Sequence, residues 1–326
     1  MFLPLICGRV AESSTPSAAT SVRARALSLV LRRTVRPIIG VWSLAPWFPW
    51  PYRAIDYAGL LPSTVPGTTF ERTMLGGVAV QRVTPTTVAT GRRILYFHGG
   101  AFIVGGWRLH RGMLSHIAAA TGAEILAVDY RQLPHAPISA SVQDCADAYA
   151  ELVSQVPADE LILMGDSAGG YLIFSTMAYA AANGLPMPAA GVAYSPLPGW
   201  RDEFDERTYS GCAVFGPRAI PTMARYATKR ETDPGHLTPQ HAIGVDLPPI
   251  LIEAAAGESL YPDIELLAAE LQAAGADVEL RGWNLDVHVF QASAAWVPES
   301  RDAIEYAADF CEHAWVSAAR SRDHVG

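Results

Sequence analysis

The stretch that decides the fold is residues 161–170, LILMGDSAGG. Its first half is a short apolar run suited to a strand covered on both faces, and from Tyr171 onward the pattern turns helical. Between them stands Gly165-Asp166-Ser167-Ala168-Gly169, a G-x-S-x-G sequence in a strand-to-helix setting. Such a turn is too sharp for large neighbours, hence Gly165 and Gly169. It strains the serine backbone and presents the hydroxyl at a helix N-terminus, where partial positive charge favours a developing anion. Ser167 is the candidate nucleophile.

Upstream, the run ILYF ends in His98-Gly99-Gly100-Ala101-Phe102. Acyl transfer creates a tetrahedral oxyanion, and backbone N–H groups aimed at it lower the barrier by several kcal/mol. Glycines let the main chain approach a substrate closely, so Gly99 and Gly100 are candidate oxyanion donors, with the amide of Ala168 as the third.

The rest of the chain supplies the same rhythm. Candidate strands fall at 70–75, 78–84, 94–98, 124–130, 161–165, 191–195, 250–255 and 277–283, and candidate helices at 110–121, 139–155, 168–182, 262–274 and 299–319. The alternation predicts an α/β fold with a mostly parallel eight-stranded sheet and helices on both faces. The first two strands are expected to pair as an antiparallel hairpin around Gly76-Gly77. Two segments break the rhythm. Residues 37–67, rich in Pro and Trp, read as irregular packed loop; residues 196–248 carry a modest helix near 217–228. Insertions of this kind are usually lids or substrate-binding elements. The expected organisation is an N-terminal cap segment (1–68), a core (69–198), a cap insertion (199–247) and the remainder of the core (248–326).

At this point the sequence resembles the hormone-sensitive lipase-like family of α/β-hydrolase carboxylesterases. HGGAF and GDSAGG match its two signatures, and Asp129-Tyr130-Arg131-Gln132-Leu133-Pro134 matches its D-Y-R-x-x-P segment. Order and spacing fit from about residue 70 to 315. Ala101 stands where a third glycine is more frequent, and Gln132-Leu133-Pro134-His135 departs from the usual Leu-Ala-Pro-Glu. Chain order in this fold runs serine, acid, histidine. Of nine histidines, His288 in Asp286-Val287-His288-Val289-Phe290 follows the last strand and resembles the family's H-x-F loop. The resemblance implies that the acid lies in Gly257-Glu258-Ser259-Leu260-Tyr261-Pro262-Asp263, and its register favours Glu258. Asp263, a candidate helix cap, is the rival, and Asp286 is weaker. The implied activity is hydrolysis of short- to medium-chain acyl esters with no metal or organic cofactor. An acyltransferase or amide hydrolase using the same residues is the alternative, and a non-catalytic ligand receptor on the same scaffold a more distant one. Aromatics of the cap (Trp42, Trp47, Phe48, Trp50, Trp200, Phe204, Phe215) either line an acyl pocket or glue the cap together.

Composition bounds the partners. The 326 residues are 50% hydrophobic and only 17% charged, and no apolar run approaches the roughly 18 residues of a membrane span. Net charge is −8, yet residues 1–55 hold seven arginines against one acid, Glu12, leaving 17 basic and 31 acidic residues in the body. An acidic body argues against nucleic acid as a partner, and the resemblance implies a small acyl ester as substrate. The basic segment reads as an amphipathic cap helix with Leu27, Val30, Leu31 and Val35 on one face; contact with an anionic membrane and a cleaved targeting segment are the other readings. The expected location is cytoplasmic, and a dimer is compatible with the chain. Four widely spaced cysteines (Cys7, Cys145, Cys212, Cys311) suggest neither zinc nor a disulfide framework.

Overall fold

The computed structural model describes residues 20–60, 63–199 and 211–325. Eight strands form one sheet in the order β1-β2-β4-β3-β5-β6-β7-β8. They are β1 (Thr69–Leu75), β2 (Val78–Thr84), β3 (Arg93–Phe97), β4 (Glu124–Val128), β5 (Leu161–Asp166), β6 (Ala190–Tyr194), β7 (Ile250–Ala255) and β8 (Val278–Trp283). β1 and β2 are the expected hairpin, β2 also runs antiparallel to β4, and every later pairing is parallel.

Alternation along the strands builds two cores. On β3, Ile94 and Tyr96 face the layer containing α4 (Trp107–Thr121) and α9 (Pro298–Val325). Leu95 and Phe97 face the opposite layer, with α5 (Ile138–Gln155), α6 (Ala168–Ala182) and α8 (Tyr261–Ala273). Both faces being covered explains why β5 reads as an unbroken apolar run. Its residues Leu161, Ile162, Leu163 and Met164 are fully buried.

The sequence reading of 37–67 as irregular needs correction. Helix α1 (Val22–Arg33) is followed directly by α2 (Val35–Leu44), and α3 (Tyr52–Asp56) lies further on. Pro37 is tolerated because it falls in the first turn of α2, where its missing N–H has no intrahelical acceptor to serve. The buried face of α1 also differs by one position from expectation: Ala24 and Leu27 are buried and Leu31 half-buried, while Val30 is 53% exposed. The insertion between β6 and β7 carries α7 (Ala219–Thr228), whose Tyr226 packs edge-on against Trp42 of α2. Among the described cysteines, Cys145, Cys212 and Cys311 are buried free thiols.

Register fixes where the chemistry gathers. Phe97 of β3 pairs with Gly165 of β5, so His98 and Asp166 leave the sheet side by side. Gly165 and Gly169 make room for this: a Cβ on Gly169 would lie 1.8 Å from the Phe97 carbonyl oxygen, and one on Gly165 2.5 Å from the same atom. Gly169→Ala should therefore cost about 3 kcal/mol or more, read as a collapse of soluble yield and of the urea midpoint. Near-native stability would show that the elbow and β3 are not held this closely.

Candidate active site

Ser167 sits between β5 and α6 with φ +51° and ψ −114°, the strained geometry expected of a nucleophile at a sharp turn. Its backbone is pinned on both sides: the Ser167 amide donates to the Tyr194 carbonyl (2.9 Å), and its own carbonyl accepts from Leu197 (2.8 Å). The hydroxyl donates to Nε2 of His288 at 2.8 Å, and Nδ1–H of His288 donates to Oε2 of Glu258 at 2.9 Å. Glu258 lies in the turn between β7 and α8, His288 in the loop after β8, and both side chains are almost wholly buried. The structure thus brings Ser167, His288 and Glu258 into one hydrogen-bonded chain.

The two rival acids are occupied elsewhere. Asp263 is not a cap, because α8 starts at Tyr261 with Leu260 at its N-cap; it lies in the first helical turn, where a carboxylate complements the dipole. Asp286 turns toward α1, where it accepts from Ser28 (2.8 Å) and pairs with Arg32 (2.5 Å). Arg32 also donates to the Gly211 carbonyl, and the Asp286 carbonyl accepts from Ala213 (2.9 Å). The N-terminal helix, the end of the insertion between β6 and β7 and the histidine loop are therefore stitched together two residues before His288.

The glycine loop after β3 is held by residues that spacing alone did not single out. Asp166, only 2% exposed, accepts from the Tyr96 hydroxyl (2.6 Å), the Gly99 amide (3.0 Å) and Nε2–H of His110 (3.2 Å). Nδ1–H of His110 faces the Gly106 carbonyl at 2.9 Å, so both ring nitrogens meet acceptors, as an imidazolium requires. Burial by itself pushes His110 down and Asp166 up. Their mutual attraction and hydrogen bond outweigh it, leaving His110 above and Asp166 below their ordinary values. The neighbouring His98 is driven by burial, and by repulsion from His110, down to about 4 and stays neutral. It donates from Nδ1 to the Gly99 carbonyl (2.8 Å) and stacks on Tyr130 with centroids 4.3 Å apart. The Tyr130 hydroxyl donates to the His98 carbonyl (2.6 Å), and the adjacent Arg131 forms a forked pair with Asp144. The D-Y-R segment is thus a brace behind the loop.

This corrects one expectation. The Gly99 amide hydrogen is directed at the Asp166 carboxylate, so it is committed to holding the loop. The next amides, Gly100 and Ala101, have no acceptor among the described residues, and both lie at positive φ (+120° and +56°). Ala168 carries the first amide of α6, which no intrahelical acceptor serves.

The cap aromatics divide. The Phe215 ring is 5.0 Å from that of His288; Trp42 is buried against Tyr226; Trp47 and Phe48 are exposed; Trp50 is half-buried; Trp200 and Phe204 lie outside the described residues. Among the described residues no cluster of His, Cys, Asp or Glu could hold a metal ion. No described helix is long and apolar enough to cross a membrane.

A mostly parallel sheet with a strained serine elbow, a braced glycine loop and a Ser–His–Glu chain defines the class of α/β hydrolases. A family model for the alpha/beta hydrolase fold matches residues 94–292. The chain is 33% identical over 297 residues to Esterase LipU of Mycobacterium tuberculosis, covering 86% of this chain and 99% of that protein. It is 31% identical over 318 residues to the Carboxylesterase/phospholipase LipF of the same organism, covering 93% and 85%. The crystal structure of an esterase from the bacterial hormone-sensitive lipase family superposes with a TM-score of 0.79 at 27% identity, covering 91% of this chain and 100% of that one. The chain belongs to the hormone-sensitive lipase-like α/β hydrolases and is a carboxylic ester hydrolase.

Two outcomes check this geometry. Arg32→Ala should lower kcat about tenfold with KM within about twofold, since a histidine displaced by a fraction of an ångström costs rate more than binding. The half-exposed pair itself should contribute no more than about 1 kcal/mol to stability. An unchanged kcat would show that the histidine loop stands without α1. For His110 and Asp166, the raised value stabilises the fold below pH 6.5 and fades as pH rises through it. The lowered value stabilises above pH 3.8 and fades as pH falls through it. The stability difference between wild type and His110→Gln should therefore be largest between these limits, about 3 kcal/mol. In denaturant melts it should shrink toward alkaline pH, and a difference that grew there would contradict the charge assignment.

Proposed function

We propose that this chain hydrolyses short- to medium-chain acyl esters, with Ser167 as nucleophile, His288 as general base and acid, and Glu258 orienting and stabilising the imidazolium. The single observation that carries this reading is the continuous 2.8 Å and 2.9 Å hydrogen-bonded chain from Ser167 through His288 to Glu258. As Ser167 Oγ attacks the ester carbonyl, its proton passes to Nε2 of His288, and the charge that develops on the ring faces the Glu258 carboxylate. The carbonyl oxygen becomes an oxyanion, stabilised by the amides of Ala168, Gly100 and Ala101. His288 then protonates the departing alcohol. Water, deprotonated by the same nitrogen, attacks the acyl-serine and releases the acid, and Ser167 regains its proton.

In this reading residues 1–68 and 199–247 form the cap over the core, and Phe215, beside the histidine ring, walls the site. One relative is an acetyl-hydrolase of Streptomyces hygroscopicus, 34% identical over 231 residues. A related esterase structure, at 28% identity, was soaked with p-nitrophenyl butyrate. Both support small acyl groups.

A series of p-nitrophenyl esters from C2 to C16 tests the substrate range. Turnover should peak between about C4 and C8 and fall steeply by C16; a rise through C16, or no turnover at all, would overturn the reading. Glu258→Ala should lose at least about a hundredfold in kcat while Asp263→Ala stays within about threefold. The reverse ranking would move the acid role to Asp263.

A further inference from the structure

The outward faces of the N-terminal helices are built the wrong way round for water. A surface helix normally turns polar residues outward. On α2 the outward arc is Pro37, Ile38, Gly40, Val41 and Leu44, without one polar side chain, and Ile38, Val41 and Leu44 are 56–59% exposed. The inward arc centres on Trp42, buried against α7. The chain leaving α2 adds Trp47 at 75% and Phe48 at 57% exposure. Residues 22–60 supply eleven of the sixteen large exposed apolar side chains among the described residues, so the feature is concentrated and not a general property of the surface.

Charge on the same segment is of one sign. The outward side of α1 carries Arg23, Arg25 and Arg33 beside the exposed Val22, Leu29 and Val30. Within residues 20–60 the only acid is Asp56, which is buried and paired with Arg108 at 3.1 Å. Elsewhere the chain is strongly acidic. Apolar and aromatic side chains interleaved with arginine and no carboxylate match a phospholipid surface: the rings and aliphatic chains enter the headgroup–acyl boundary and the guanidinium groups meet lipid phosphates. A second copy of this chain fits worse, because a two-fold interface would set one arginine array against its duplicate. The acidic body would be repelled from an anionic bilayer everywhere except through this face, which also sets orientation.

We propose that the outward face of α1, α2 and the Trp47-Phe48 turn docks the protein on an anionic lipid surface. Through Arg32 and Ser28 the inner side of α1 holds the loop that carries His288, so docking places the esterase site beside the bilayer. The docking does not depend on the triad assignment and is measured separately from it.

The experiment is co-sedimentation of the full chain, as the Ser167→Ala variant so that no lipid is consumed, with vesicles of phosphatidylcholine alone or with 30% phosphatidylglycerol. Binding should appear on the anionic vesicles, weaken at least threefold from low to high salt, and be at least tenfold weaker on phosphatidylcholine alone. Val41→Glu with Leu44→Glu should reduce it at least tenfold. In the Ser167 background the same pair should leave the melting temperature and the turnover of a soluble short-chain ester unchanged. Absence of binding to anionic vesicles, or full binding by the double variant, overturns the proposal. So does a wild-type dimer that the double variant abolishes while vesicles go unbound, which would assign the face to a second copy.

Discussion

A buried carboxylate organises this active site. Asp166 enters the crevice at the C-terminal edge of the sheet and there receives three donors from three different segments: Tyr96 on β3, Gly99 in the loop after β3 and His110 on α4. A charge in such a place is tolerated only when paired and fully hydrogen-bonded, and His110 supplies the opposite charge. Because Asp166 is joined directly to Ser167, whatever fixes the carboxylate fixes the elbow and the glycine loop against each other. The loop can then hold Ala101 and Phe102 in left-handed geometry, at φ +56° and +60°, a local strain that the surrounding contacts must offset.

The other half of the site depends on segments more distant in sequence. His288 sits after the last strand, and its loop gains order from α1 through Ser28 and Arg32 and from the end of the β6–β7 insertion through Ala213 and Gly211. In the proposed mechanism the nucleophile and its oxyanion donors therefore belong to the sheet core, while the base is braced partly by the segments proposed as the cap. A change in how the cap is seated would act on proton transfer before it acted on the serine. A cap whose outer face meets lipid would also stand nearest the entering substrate.

Much of the fold was legible because the signals were local. All eight strands follow from short β-branched or apolar runs, several of them unbroken, and the elbow from glycines that the Phe97 carbonyl forces to remain glycine. The proximity of Glu258 to His288 was reachable from motif register. The helices within 37–67 were hidden by Pro37 and by an apolar face that points outward, so apolar residues fall on both sides of α2 and no polar face marks its period. The role of Gly99 was misread because a glycine amide next to the substrate looks the same in sequence whether it faces an oxyanion or a carboxylate. A signal for the Asp166 pair did exist: His110 shares spacing with Met113, Leu114 and Ile117, which places it on the buried face of α4. A buried acid in LILMGD requires a buried cation, and His110 was available to supply it.

The most direct test of the whole arrangement is covalent. A fluorophosphonate applied to the native chain and to a His288 variant, followed by peptide mass spectrometry, reads nucleophile and base together. Stoichiometric modification of Ser167 alone, slowed at least a hundredfold by His288→Ala, is the predicted result. Modification at another serine, or labelling of Ser167 as fast without His288 as with it, would contradict the account.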